Sequence, residues 1–335
     1  MRTDITIVKN IRDDAALRSS FNRLAERTFG LNFESWYQNG YWKDNYIPYS
    51  IVRQGQVIAN VSVNPMTFSD SGTLHHYVQL GTVMTDPDFR GQGLCRLLME
   101  AVEHDWAERA EAIYLFANDT VLDFYPRFGF QRAQEYRFFA PLSACMPEAF
   151  APVLQSPDAG PSQNTAPDRP AIPVSMTDPA NRAALERAVL SGVSQGSFDM
   201  AGNPGLILFY ASQFLTENVW YLPAHDAWVI AEAEGDTLLL DAIFAPRPVD
   251  PREAAAALLS GAFRERFPQA AHGLSHLECG FTPAGIDESD ACRTENGSVW
   301  EVRPLENDDD ALFIKGELVK TFAQKNRRFP TLSHA

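Results

Sequence analysis

The chain has 335 residues, of which 45% are hydrophobic and 21% charged, a composition typical of soluble globular proteins with room for two domains. Its formal net charge of -15 argues against nucleic acid, whose phosphates it would repel, and tolerates a cationic substrate. No apolar run approaches the ~18 residues of a membrane span, and the N-terminus does not resemble a signal peptide. We therefore expect a cytoplasmic protein without a membrane partner.

The cysteines are scattered, without CxxC pairs or the spacing of metal ligands. This pattern predicts reduced thiols in the core or at the surface, and no metal site. The four residues are Cys95, Cys145, Cys279 and Cys292.

One segment changes the composition of the chain. Residues 143–172 are rich in Pro, Ala, Ser and Gly and lack apolar periodicity, which predicts an extended linker between domains of residues 1–142 and 173–335. Through residue 150 there are 14 Lys plus Arg against 18 Asp plus Glu, and the remainder has 14 against 25. The less acidic N-terminal half is therefore the better place for an anionic cofactor.

Hydrophobic patterns predict the first elements of the N-terminal half. A 3.6-residue period predicts a helix in "AALRSSFNRLAERTF", and "YSIVRQGQVIANVSVNPMTF" predicts a hairpin that turns at Gln54-Gly55. The almost wholly apolar "YVQLGTVM" predicts a central strand covered on both faces. Apolar residues from Leu94 to Val102 then predict a helix that packs by one face on the sheet.

Two glycines separate that strand from that helix, in "FRGQGLCRLL". Glycine lets the backbone adopt positive φ angles and close around an anion, and a helix N-terminus offers unpaired N–H groups. The loop therefore suits phosphate. Taken alone, the same glycine pattern is also typical of a tight turn that binds nothing.

The next stretch, "IYLFANDTVLDFYPRFGF", predicts a strand that ends at Ala117, a short helix with Tyr125 and a turn at Gly129. The Arg-x-x-Gly-x-small loop, Asn118 and the Tyr-Pro-Arg-Phe-Gly-Phe run stand in an order that resembles the GNAT superfamily of acyl-CoA-dependent N-acetyltransferases. The resemblance covers about residues 1–142. It implies a mixed α/β sheet, acetyl-CoA as the acyl donor and an amine-bearing acceptor.

The resemblance also implies roles for individual residues. Backbone N–H groups of the loop would hold the cofactor's pyrophosphate, and its residues are Arg90, Gly91, Gln92, Gly93, Leu94 and Cys95. The main chain of Val83, Met84 and Thr85 would pair with the pantetheine arm, and Asn118 would also contact the cofactor. Tyr125 would protonate, or hydrogen-bond to, the departing thiolate. The alternative for Tyr125 is a core aromatic residue with a satisfied hydroxyl.

Two residues depart from the family pattern. Cys95 stands where most members have Gly or Ala, and its small side chain fits beneath the helix. Gln79 stands where many relatives have a glutamate that accepts the amine proton, and a glutamine cannot act as a base. The remaining candidates for a base are His75, His76, Asp44 and Glu34, each of which is otherwise a surface residue.

The aromatic segment "NFESWYQNGYWKDNYIPYS" has two interpretations. Its rings either line an acceptor pocket, where they would stack on a cation, or fill the core. These rings are Trp36, Tyr37, Tyr41, Trp42, Tyr46 and Tyr49.

The C-terminal half predicts two strands around Gly235 and then a helix, which makes it either a degenerate copy of the first domain or an unrelated α/β domain. Asp250 and Pro251 stand at the position of the glycine loop and exclude a second CoA-binding loop. The expected function is acetyl transfer to an amine by direct attack in a ternary complex. A silent acyl-CoA-binding regulatory module and a protein-interaction scaffold are the alternatives. The sequence predicts neither the acceptor nor the oligomeric state.

Overall fold

The computed structural model describes residues 4–145, 170–259, 262–268, 273–284, 286 and 300–334. The strands are β1 (Thr6–Lys9), β2 (Ile47–Arg53), β3 (Gln56–Asp70), β4 (Thr73–Thr85), β5 (Ala112–Ala117), β6 (Gln131–Arg132), β7 (Tyr136–Pro141), β8 (Ile172–Pro173), β9 (Gly196–Ala201), β10 (Val219–Leu222), β11 (Ala227–Glu234), β12 (Thr237–Phe244), β13 (His276–Cys279), β14 (Thr282–Pro283), β15 (Glu301–Pro304) and β16 (Ala311–Gly316). The α-helices are α1 (Ala15–Phe29), α2 (Glu34–Gln38), α3 (Leu94–Trp106), α4 (Leu142–Cys145), α5 (Pro179–Ser191), α6 (Pro204–Gln213), α7 (Pro251–Leu258), α8 (Ala262–Arg266) and α9 (Leu318–Phe322).

Local sequence signals account for most of the N-terminal elements. Helix α1 has the predicted bounds because the Asp14 carboxylate accepts the N–H groups of Ala16 and Leu17, and Gly30 ends the helix at a φ of 71°. The predicted hairpin is β2 and β3, the central strand is β4, and β5 ends at Ala117 as predicted. Strand β4 precedes the glycine loop, and α3 follows it.

The first sheet has nine strands, seven of them in the order β1-β2-β3-β4-β5-β16-β6; β9 also pairs with β3, and β14 pairs with β9. Neighbouring strands in this sheet are antiparallel except for β4 and β5, which run parallel over Tyr77–Leu80 and Ala112–Leu115. One face carries α3 and an apolar cluster that includes Leu98 and Leu115. The opposite face carries a second cluster around Tyr114. Strand β4 is thus covered on both faces, as its apolar sequence predicts.

The second sheet has the order β15-β7-β13-β12-β11-β10-β8. Like the first sheet, it consists of antiparallel strands and one parallel pair. The parallel strands are β12 and β13, and α7 lies between them in sequence. The mixed sheets and their helices confirm an α/β fold with a second sheet-containing region. The predicted single helix of "PREAAAALLSGAF" is instead α7 and α8, with residues 260 and 261 outside the described residues.

Each sheet contains strands from the other half of the chain. In the first sheet, β16 lies between β5 and β6, and β9 and β14 extend the sheet from β3. In the second sheet, β7, which precedes residue 142, lies between β13 and β15. The two sheets therefore do not separate at residue 142. Of the predicted linker, residues 143–145 belong to α4 and Ile172 begins β8, while residues 146–169 lie outside the described residues.

In the described ranges, no helix combines the length and the apolar character that crossing a membrane would require. The three described cysteines are free thiols, and Cys292 lies outside the described residues.

Candidate active site

The glycine loop forms an open cradle at the start of α3. Gly91 and Gly93 have φ angles of 70° and 75°, which favour glycine over residues with a side chain. A Cβ added at either residue would have no atom within 4 Å, so both face open space. No side chain caps α3, whose first N–H groups stay available for an anion. The start of α3 is therefore an open surface whose N–H groups no side chain caps.

The parallel strands β4 and β5 separate beside this cradle. Their register ends at Leu80 and Leu115, although β4 continues to Thr85 and β5 to Ala117. We call this gap the β4–β5 opening. Polar groups of the main chain that face such a gap lack a partner strand, and an extended ligand can pair with them. Val83, Met84 and Thr85 line the β4 side.

A bulge bends β4 at the start of the opening. Thr82 has a φ of 46°, and the β3–β4 register shifts between Asn60 and Ser62. The Asn60 amide, itself fully buried, donates to the Thr82 carbonyl at 3.1 Å and to the Ser62 hydroxyl at 2.9 Å. The Tyr46 and Thr82 hydroxyls are hydrogen-bonded. Buried polar side chains thus hold the bulge in place.

Tyr125 begins a short 3-10 helix, Tyr125–Phe128, on the α3 face of the sheet. Its ring lies 6.0 Å from that of Phe313, and its hydroxyl makes no hydrogen bond to any described residue. Burial and the nearby Cys95 thiol raise its pKa above the usual value, so the phenol stays neutral near pH 7. A neutral buried phenol can donate a proton.

Cys95 is half-buried in the first turn of α3 and packs against the apolar cluster on this face. Burial raises the pKa of its thiol to about 11. A thiol protonated at neutral pH is a poor nucleophile. The Cys95 side chain thus packs beneath the first turn of α3.

We expect Cys95 to resist alkylation. At pH 8 a thiol with a pKa of about 11 contains on the order of a hundredfold less thiolate than an ordinary cysteine of pKa ~8.5. Iodoacetamide labelling followed by peptide mass spectrometry should show slow modification that accelerates toward pH 11. Labelling at the rate of a free cysteine at pH 8 would contradict this picture of a buried thiol.

The other residues implied in cofactor binding flank the opening. Arg90 is exposed, and its Nε donates to the Thr85 carbonyl at 3.3 Å. Gln92 is also exposed, whereas Leu94 anchors α3 in the core. Asn118 follows β5, and its side-chain oxygen accepts from the N–H of Thr120 at 3.1 Å. Asn118 thus shapes the turn beyond β5.

The two histidine candidates lie away from the bulge. His75 and His76 are at the other end of β4, and about 26 Å of strand separates His75 from Val83 at ~3.3 Å per residue. His75 is bonded to Glu111 at 2.7 Å.

Both carboxylate candidates are in ion pairs. Asp44 is exposed and bonded to Arg12, and Glu34 is paired with Arg18. Arginines therefore engage both carboxylates, and the two histidines lie at the far end of β4.

Most of the aromatic segment is core, and two of its rings also line a small cleft. Trp36 and Tyr46 are buried and share the cleft with Asn64, Asn203 and Phe209. The cleft adjoins the bulge through the Tyr46–Thr82 hydrogen bond. Helix α6 covers it, since the Trp36 indole donates to the Gly205 carbonyl at 2.7 Å. The core interpretation therefore describes most of the segment, and Trp36 and Tyr46 also line this cleft.

A larger cavity of about 300 Å³ lies between α5, β9 and β12. It contains the carboxyl groups of Asp199 and Asp241, and burial raises the pKa of Asp241 to about 7. The cavity also reaches Leu74, which is ~30 Å of strand from Val83.

The C-terminal half has no counterpart of the cradle at the start of α7. Asp250 caps that helix by accepting the Arg252 N–H at 2.8 Å and pairs with the Arg252 side chain. Asp250 occupies the N-cap with negative charge, which disfavours an anion there. Among the described residues, no group of three or more His, Cys, Asp or Glu is arranged to hold a metal.

Sequence reasoning missed the polar residues that hold the bulge. Asn60, Ser62 and Asn64 alternate with valines in β3, and this period-two row of small polar residues in an apolar strand was a readable signal. Thr82 carried no such signal, because a positive φ at threonine depends on tertiary contacts.

Comparisons with known proteins place part of the chain in a family. Residues 16–130 match the family described as Acetyltransferase (GNAT). No curated protein matches the chain by sequence.

Solved structures share the fold over most of the chain. A conserved protein of Enterococcus faecalis, described as a probable N-acyltransferase, has a TM-score of 0.56 and 13% identity, with 93% of this chain and 72% of that chain covered. Eis1 from Mycobacterium abscessus has a TM-score of 0.53 and 15% identity, with 96% and 75% covered. A GCN5-related N-acetyltransferase from Kribbella flavida has a TM-score of 0.52 and 16% identity, with 93% and 72% covered. The solved structures thus show the shared fold, and the family match shows that residues 16–130 are an acetyltransferase domain of the GNAT family.

Proposed function

We propose that the protein transfers an acetyl group from acetyl-CoA to an amine by direct attack within a ternary complex. The observation that carries the proposal is the conjunction of an open glycine cradle at the start of α3 with the β4–β5 opening beside it. Gly91 and Gly93 would hold the pyrophosphate, and Val83 to Thr85 would pair with the pantetheine arm.

Tyr125 is the proposed acid for the departing thiolate. It lies on the same face as α3, its phenol is neutral, and its hydroxyl is not engaged by another described residue. Asn118 at the end of β5 would contact the cofactor from the other side of the opening.

Direct attack is favoured over an acyl-enzyme. The thiol nearest to Tyr125 is Cys95, and its raised pKa makes it a weak nucleophile near neutral pH. The amine would therefore attack the thioester itself.

The proposed acceptor site is the cleft beside the bulge. Trp36, Tyr46 and Phe209 supply aromatic faces that suit a cation or an apolar amine, and Asn203 supplies a polar group. Because α6 provides Asn203 and Phe209, the C-terminal half would shape the acceptor site, without a CoA-binding loop of its own.

A screen for thiol release from acetyl-CoA tests the proposal. The full chain is mixed with acetyl-CoA and a panel of primary alkylamines, spermidine, glycinamide as a mimic of a peptide N-terminus, and a blocked lysine. We expect amine-dependent release of CoA with at least one class. Acetyl-CoA binding without release for any amine would instead indicate the silent binding module, which Gln79 on β4 favours.

A further inference from the structure

The last described residues of the chain lie against the centre of the first sheet. Ser333 is fully buried, and its carbonyl accepts from the Tyr114 hydroxyl of β5 at 3.4 Å. The Tyr210 hydroxyl of α6 donates to the His334 carbonyl. Thr331 N–H donates to the Gly280 carbonyl at 2.7 Å. These contacts fix the position of the His334 side chain.

The two ring nitrogens of His334 have different surroundings. Nδ1 lies 3.0 Å from a carboxylate oxygen of Asp310, whereas Nε2 is buried and has no hydrogen-bond partner among the described residues. A carboxylate at Nδ1 favours the tautomer with the proton on Nδ1. Nε2 then carries a lone pair, and a buried acceptor without a partner is costly unless a ligand supplies a donor.

The imidazole lies at the β4–β5 opening. Its ring stacks on that of Phe116, with centroids 3.5 Å apart and planes at 19°. Phe116 directly follows Leu115, the last residue of β5 in register with β4.

His334 and Tyr125 lie on opposite faces of the sheet. Successive residues of a strand face opposite ways, so Phe116 faces away from α3 while Leu115 faces it. Phe313, which packs on Tyr125, is directly opposite Leu115 in the β5–β16 register. Tyr125 therefore lies on one face of the sheet beside the opening, and on the other face lies an imidazole whose buried Nε2 has no hydrogen-bond partner among the described residues.

We propose that Nε2 of His334 accepts the proton of the attacking amine, with Asp310 as its positioning residue. This inference rests on the proposed acetyl transfer. It supplies the base that Gln79 cannot be. Among the four sequence candidates, His75 and His76 lie at the far end of β4, and Asp44 and Glu34 are held in ion pairs with arginines.

Each proton of the proposed acetyl transfer has a donor and an acceptor. As the amine nitrogen forms its bond to the acetyl carbon, its proton passes to Nε2. The carbon–sulfur bond breaks, its electron pair stays on sulfur, and the Tyr125 hydroxyl gives its proton to that sulfur. Afterwards His334 releases one proton to solvent and Tyr125 regains one. The products are an amide and free CoA.

Other titratable groups surround the imidazole. Asp310 precedes β16, Glu135 precedes β7, and the Tyr114 and Tyr210 phenols come from β5 and α6. Burial raises the pKa of the Glu135 carboxyl and of both phenols, so the two tyrosines stay neutral near pH 7. The positive charge of Arg328 partly offsets this rise in the pKa of Glu135. Asp310 is the only one of these groups in contact with the ring nitrogens.

Kinetics of His334→Gln test the role of the imidazole. With the best acceptor of the amine panel, we expect kcat to fall by about 10²- to 10⁴-fold, the usual contribution of a positioned base. Asp310→Asn should lower kcat less. His104→Gln is the control, because the His104 side chain is 88% exposed on α3.

Two further measurements separate this claim from the proposed function. Calorimetry should show that His334→Gln binds acetyl-CoA like the parent, whereas a failed proposed function would show no binding or turnover in the parent itself. Nitrogen NMR of histidine-labelled full-length protein, with the His334 signal assigned by its loss in the variant, should show the proton on Nδ1. A proton on Nε2, or parent-like rates in His334→Gln, would overturn the assignment.

Discussion

Tyr125→Phe is expected to lower turnover by about 10²- to 10⁴-fold, because it removes the proposed acid and keeps the ring. The ring is buried and packs with Phe313, so the fold and the affinity for acetyl-CoA should remain close to those of the parent. The measurement is CoA release under saturating acetyl-CoA, together with calorimetry of acetyl-CoA binding.

A matched control is Tyr221→Phe on β10 of the second sheet. The Tyr221 hydroxyl contacts Asp226 at 2.8 Å, so this variant also loses one hydroxyl from a tyrosine but leaves the opening intact. Its turnover should match that of the parent. Undiminished turnover in Tyr125→Phe would make Tyr125 a core residue without a part in the chemistry.

The second large effect concerns the cradle. Replacement of Gly91 and Gly93 by valine places side chains where the phosphate would approach and imposes positive φ on residues that avoid it. Hydrogen bonds to charged groups contribute ~1.5–3 kcal/mol each, and ~1.4 kcal/mol is a factor of ten in affinity. Loss of two such bonds should weaken acetyl-CoA binding by at least about a hundredfold in calorimetry.

The control for this variant is a valine pair at Gly55 and Gly235. Both residues have positive φ and open space around the added Cβ, but they lie in the turns after β2 and after β11. The control variant should have similar backbone strain but the parent's affinity for acetyl-CoA. If the cradle variant and the control bind acetyl-CoA equally well, the loop does not bind the phosphate.

Features that depend on near neighbours could be predicted from the sequence. Helix α1 follows from its apolar period, its Asp14 cap and Gly30, all within one segment. The glycine loop and the short helix with Tyr125 follow from similarly local patterns. Their proposed roles came from the resemblance to the GNAT family and remain proposals.

Features that depend on distant segments could not be predicted. The exchange of β7 and β16 between sheets has no local signature, because either strand's apolar sequence suits any covered sheet position. The same holds for His334, which reaches Phe116 only because the C-terminal segment packs on β5. The candidate bases His75, His76, Asp44 and Glu34 all come from the N-terminal half of the sequence, and His334 lies outside that half.

The most direct test of direct transfer across the β4–β5 opening is the initial rate of CoA release with acetyl-CoA and the acceptor amine both varied. A ternary complex predicts double-reciprocal lines that intersect, and no acetyl group on the protein after incubation with acetyl-CoA alone. Parallel lines, together with a covalent acetyl adduct on Cys95 or another side chain in the mass spectrum, would contradict it.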